Sequence, residues 1–191
     1  MDKFHSFFYG ETEYPLQHLR PFFCEFVQIA QKEGQTEQRY RCLIEFSNHC
    51  FTKGINLRKG EQLSDFPVGL QVDNGKEKRI FCENRYRLSL RLPAILQKMD
   101  KTACFFTSAD DKFLKISLEE DGGVRVDYEI YFSLQKAKRA NCDVHIYINS
   151  AYARDSDYYD VPQQARPSRK KISLFVLLKN TMEGKRIKKP K

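Results

Sequence analysis

The sequence predicts an α+β fold: a single domain of mainly antiparallel sheet packed against one long helix. Three observations lead there. Apolar residues alternate with polar ones near the amino terminus and through much of the second half, while Glu83 to Met99 repeats them at helical spacing. The chain has 191 residues, 41% apolar and 13% aromatic, which closes one core of ordinary size and would leave two domains cramped.

The first residues, Met1 to Gly10, carry Asp2, Lys3 and His5 among their aromatics and lack a signal peptide's apolar centre. No stretch approaches the roughly 20 apolar residues that cross a bilayer. The expectation is a protein made and kept in the cytoplasm, with no membrane partner. Next, Phe22, Cys24 and Phe26 alternate with Phe23 and Glu25, and Tyr40, Cys42, Ile44 and Phe46 alternate with Arg41, Leu43 and Glu45. Period two means strands, and the polar segment Gln31 to Gln38 with Gly34 joins them as an antiparallel hairpin.

From Lys53 to Lys78 the chain is rich in glycine, Asp, Asn and charge, with Pro67 and an Asn74-Gly75 turn signal. A long loop carrying at most one short strand is expected there. The helix follows, with Tyr86, Leu90 and then Leu88, Leu92, Ile95, Leu96 and Met99 recurring at helical spacing, and Pro93 breaks or kinks it unless it opens a new helix. Strands are then predicted over Ala103 to Ser108, Phe113 to Glu119, Val124 to Leu134, Val144 to Ala151 and Ile172 to Leu178. Turn signals at Asp110-Asp111, Asp121-Gly122-Gly123 and Arg139 to Asn141 separate the first four. Val144, Ile146, Ile148 and Ser150 share one strand face. Arg154 to Lys171 reads as a tyrosine-rich connection, so the domain spans residues 1–184 and 185–191 form a basic disordered tail.

A net charge of +8 and a pI near 9.1 make a polyanion the natural long-range partner. Ten of the cations lie between Arg166 and Lys191, against the single acid Glu183. Lys185, Arg186, Lys188 and Lys189 are therefore candidate nucleic-acid contacts, and a merely solubilising tail is the equal alternative. The six cysteines form no CxxC pair and most sit in apolar runs as small hydrophobes. His49-Cys50 alone cannot supply a zinc site, and no glycine-rich phosphate loop or HExxH is present. No metal, no cofactor and no nucleotide cofactor are expected.

His49 stands where a strand meets a loop and is the candidate proton carrier. Adjacent residues of a strand point to opposite faces, so Cys50 is expected to pack inward rather than pair with it. Arg79 and Arg85 flank the start of the helix as candidate phosphate contacts, the alternative being a solvated helix face. Tyr147, Asn149, Ser150, Tyr152 and Arg154 leave the sheet together, while Tyr131, Ser133 and Lys136 sit on a neighbouring strand. Tyrosines interleaved with cations suit single-stranded RNA, although strand tyrosines packed on charged stems are as common. No second histidine or evident glutamate partners His49.

The segments Phe46 to Thr52, Arg79-Ile80-Phe81-Cys82, Arg85 to Ser89 with Leu92-Pro93, and Asn149-Ser150-Ala151-Tyr152 resemble a group of bacterial proteins carried on plasmids and integrative elements. That group brings no activity to transfer. The order helix, then three antiparallel strands, with a Ser-Ala-Tyr exit, resembles more weakly the barnase, EndoU, colicin and RelE-like ribonucleases. This second resemblance implies metal-independent RNA cleavage, with His49, Arg79, Arg85, Ser150, Tyr152 and Arg154 open to roles in it. The expected function is thus a nucleic-acid-directed protein of a mobile element, with a ribonuclease toxin as its catalytic form. The alternative is a noncatalytic module that binds nucleic acid or a protein partner.

Overall fold

The computed structural model describes residues 5–30, 36–106, 112–119, 125–138, 141–153 and 171–187. Strands β1 (Ser6–Tyr9) and β2 (Thr12–Pro15) form a hairpin ahead of the first long pair, β3 (Phe22–Gln28) and β4 (Gln38–Phe46). A smaller sheet follows from β5 (Thr52–Lys53), β6 (Gln71–Asp73) and β7 (Lys78–Phe81), and then come helices α1 (Glu83–Ser89) and α2 (Leu92–Leu96). The second half supplies β8 (Cys104–Phe106), β9 (Lys112–Glu119), β10 (Arg125–Lys136), β11 (Val144–Ala153), β12 (Lys171–Ile172) and α3 (Leu174–Met182). The structure is α+β and rich in sheet, with three sheets among the described residues rather than one.

The largest sheet runs β12-β8-β9-β10-β11-β4-β3. All its pairings are antiparallel except β11 with β4, which join in parallel from Val144 opposite Cys42 to Ile148 opposite Phe46. The expected hairpin of β3 and β4 is present, with Cys24 opposite Cys42. Alternation decides which side is buried. Cys42, Ile44, Tyr128, Ile130, Phe132, Val144, Ile146 and Ile148 are fully enclosed on one face. Each large apolar side chain among them contributes on the order of 1.5–3 kcal/mol by leaving water. Cys50 is enclosed too, packed inward as expected.

Two expectations are corrected. The long helix is instead α1, α2 and a 3-10 turn at Met99–Lys101. Pro93 lies within the first turn of α2, so it has no N–H for the Ser89 carbonyl and its ring crowds that group. The Arg91 N–H bonds the Leu88 carbonyl at 3.1 Å instead, and helical hydrogen bonding resumes with Ile95 N–H on the Arg91 carbonyl. The second correction concerns Ile172 to Leu178, of which only Lys171–Ile172 is strand. Ser173 caps α3 by accepting from the Phe175 N–H at 3.3 Å, and Leu174, Leu177, Leu178 and Thr181 are buried at helical spacing. α3 lies on β10 and β11 and closes the core.

Lys53 to Lys78 is more ordered than a loop: three 3-10 turns precede β6, which pairs with β7. The β1-β2 hairpin lays Phe7 on Phe81, rings 4.2 Å apart and nearly parallel, with Tyr14 edge-on to Tyr86. Arg154, Asp110-Asp111 and Asp121 to Gly123 lie outside the described residues, as do Lys188 and Lys189. Ile187, inside the proposed tail, packs against the core. Among the described residues no helix is long and apolar enough to cross a membrane.

Candidate functional site

β4 ends in the core at Phe46, and the chain turns at once through a 3-10 turn, Asn48–Cys50. Ser47 Oγ caps that turn by accepting from the His49 N–H at 3.2 Å. With Cys50 buried, the His49 ring faces the other way, and its Nε2 bonds Oε1 of Glu77 at 2.6 Å. Glu77 closes the Asn74-Gly75 turn between β6 and β7. Asn74 Oδ1 accepts from the N–H groups of Lys76 and Glu77, each at 2.9 Å, and Gly75 supplies the positive φ of 80°. Burial holds the His49 pKa below its ordinary value, Arg79 and Arg85 push the same way, and the bond to Glu77 opposes them. Glu77 is held low, first by His49 and then by Arg79.

The carboxylate only accepts, so the neutral ring donates from Nε2 and keeps its lone pair at Nδ1. Nδ1 is then the position that takes up a proton. The partner that sequence reading did not find for His49 is Glu77, 28 residues further on. Its only trace was the Asn74-Gly75 turn signal, which places the next residues at the mouth of a hairpin.

Arg79 and Arg85 converge behind this pair. Arg79 is 8% exposed; its Nε donates to Thr52 Oγ1 at 2.8 Å, and its NH1 donates to Glu77 Oε2 at 3.3 Å. Arg85 NH1 donates to the carbonyls of His49 at 3.1 Å and Thr52 at 2.8 Å, while its guanidinium lies 4.8 Å from the Tyr152 ring centroid. Both cations thus sit beside His49, where they bind the loop that carries it.

The opposite wall belongs to β10 and β11. Tyr131 pairs with Ser150 and Phe132 with Ile148, leaving Asn149 as an extra residue, a bulge. Without it Ser150 would continue the inward face of Ile146 and Ile148, as its spacing predicts. The bulge shifts the phase: Ala151 turns inward, while Ser150 and Tyr152 join Tyr147 and Asn149 on the other side. There Tyr131 stacks on Tyr152, centroids 5.6 Å apart and planes 13° apart. Its hydroxyl donates to Oε2 of the buried Glu129 at 2.5 Å. Sequence reading missed Glu129, although its alternation with Tyr128 and Ile130 places it beside Tyr131.

Between the walls lies an open cavity of about 600 Å³. His49, Lys76 and Glu77 line one side, and Tyr131, Tyr147 and Tyr152 line the other, with Ser150 and Asn149 at the bulge. Six residues singled out from sequence, His49, Tyr131, Tyr147, Asn149, Ser150 and Tyr152, therefore share one space. Lys136 stands exposed at the far end of β10, opposite Val144, and Lys185 pairs with Glu183 at 2.7 Å after α3, with Arg186 exposed beside it. None of these three lines the cavity.

Comparison with known proteins gives this arrangement its relatives. Protein YjaZ of Escherichia coli (strain K12) is 24% identical over 165 residues, covering 86% of this chain and 83% of that protein. No solved structure matches the chain significantly. The YjaZ family model matches residues 6–182, from β1 to the end of α3 and through both walls of the cavity, so the chain belongs to the YjaZ family.

Proposed function

We propose that the cavity binds single-stranded RNA, with His49 as the group that exchanges a proton inside it. The observation that carries the reading is the meeting of three tyrosines and a carboxylate-held imidazole around one open space. Aromatic rings accept bases without regard to sequence, and Lys76 together with a net charge of +8 favours a phosphate backbone. Arg79 and Arg85 serve this reading from behind, by fixing the His49 loop and the Tyr152 ring.

The test is anisotropy of labelled short RNA and DNA across about 50 to 200 mM salt. Expected are an affinity that falls steeply with salt and a loss of about 1–3 kcal/mol on Tyr147→Ala. Absence of binding, or binding indifferent to Tyr147, overturns the proposal. Its stronger form is a metal-independent ribonuclease toxin of a mobile element, with neutral His49 accepting the ribose hydroxyl proton at Nδ1. In that form RNA is cut by the wild type and spared by His49→Ala; RNA left whole by both limits the protein to binding.

A further inference from the structure

The proton of the His49 ring has its place fixed by the group beside it. Glu77 accepts twice: Oε1 takes the Nε2–H of His49 at 2.6 Å, and Oε2 takes a guanidinium N–H of Arg79 at 3.3 Å. Both ends of this arrangement are held. Arg79 is 8% exposed and anchored on Thr52 Oγ1, while the Asn74 side chain accepts from the Glu77 N–H and closes the turn. Burial, with Arg79 and Arg85 adding to it, keeps the imidazole neutral at about pH 7. Its single N–H proton is therefore committed to Glu77, and Nδ1 holds a lone pair to which no described residue donates. The ring itself lines the cavity.

We infer that His49 reads the ribose 2′-hydroxyl as a hydrogen-bond donor, so that the cavity takes RNA and refuses sugars without that proton, deoxyribose and 2′-O-methyl ribose. The inference rests on the RNA-binding reading and names the sugar it accepts, whether or not the RNA is cut. The two walls decide which donor arrives. Lys76 stands beside His49 and suits a phosphate, and the tyrosines opposite suit bases. The ribose that joins phosphate to base then falls next to His49, and its 2′-hydroxyl is the one donor the sugar of an internal nucleotide carries. His49 determines the specificity, and Glu77 is a positioning residue that acts through it. A site built to accept a proton rejects an analogue lacking the donor, because its own lone pair is then left unpaired.

The test compares the binding of one short RNA sequence made with 2′-hydroxyl, 2′-fluoro, 2′-O-methyl or 2′-deoxy sugars. Fluorine keeps the ribose pucker and adds little bulk but brings no proton, so it separates the hydrogen bond from the fit. Wild type should bind the fluoro strand about tenfold more weakly than the hydroxyl strand. Glu77→Gln should reverse the ring. Arg79 can only donate, so the new amide turns its oxygen to Arg79 and its NH2 group to His49; Nε2 must then accept, and the ring proton moves to Nδ1. The fluoro penalty should then shrink to less than about twofold, and nitrogen NMR of the His49 ring should show the protonated position exchanged. Equal affinity of wild type for the hydroxyl and fluoro strands overturns the inference and leaves RNA binding standing. A neutral wild-type ring protonated at Nδ1 also overturns it, and that spectrum needs no variant to fold. So does a full penalty retained by a folded Glu77→Gln. RNA that does not bind at all overturns both readings.

Discussion

Replacing Arg85 should unfasten the loop that carries His49. Its NH1 donates to two backbone carbonyls, those of His49 and Thr52, and its guanidinium covers the Tyr152 ring. A hydrogen bond from a charged group is worth about 1.5–3 kcal/mol, and a cation over an aromatic ring about 0.5–1 kcal/mol at an exposed site. Because Arg85 is only half-buried, water replaces part of this. Arg85→Met keeps the stem and removes the donors, so a loss of about 3 kcal/mol is expected, or about 6–12 °C in Tm for a chain of this length. Equilibrium unfolding in urea measures it. Arg85→Lys should recover about half, since an ammonium keeps the charge without the planar fork. A loss below about 1 kcal/mol on Arg85→Met would refute the reasoning, because water would then serve both carbonyls equally well.

Burial holds both His18 and His49 below the ordinary imidazole pKa. As pH falls below about 6.5 the unfolded chain therefore takes up protons first. Stability should be full above that pH and decline as pH drops through the lowered folded values, and His49→Gln should flatten part of the slope; a flat urea midpoint between about pH 7.5 and about pH 5 contradicts this. Tyr128 is fully enclosed, and its hydroxyl has no hydrogen-bond partner among the described residues. Tyr128→Phe should leave stability unchanged or raise it by up to about 1 kcal/mol, whereas a drop beyond that in thermal melting would reveal a partner for the hydroxyl. Pro93→Ala restores the missing N–H, so α1 and α2 should fuse and far-ultraviolet circular dichroism should show more helix; an unchanged spectrum would place the cause of the break elsewhere.

Alternation of side chains revealed β3, β4, β10 and β11, because each buries one face and leaves the other polar. It failed at Ile172 to Leu178, where the run is apolar at nearly every position and the helical and extended periods cannot be told apart. Period two is also silent about partners. Nothing local marks β4 and β11 as neighbours, nor their parallel sense. The site was legible only as separate groups. His49, Tyr147, Ser150 and Tyr152 were visible as residue types at strand ends, but the bulge at Asn149 that turns Ser150 outward leaves no mark in the composition. Glu77 and Glu129 were missed because a carboxylate's role depends on what the fold sets against it, here an imidazole and a phenol.

The seam between β4 and β11 is latched by Asp143, whose N–H reaches the Arg41 carbonyl at 2.7 Å and whose carboxylate accepts from the Arg41 N–H, across 102 residues of sequence. On a ribosome, the first strand of that seam emerges long before its mate exists. Until then Ile44 and its neighbours on β4 have an open flank and no far wall to face, which is a state that invites capture by chaperones or by other nascent chains. A message cut short before Tyr131 would yield a polypeptide holding the imidazole and its glutamate but none of the wall that faces them. Translation must pass the final strands before this molecule has any inside to offer a guest.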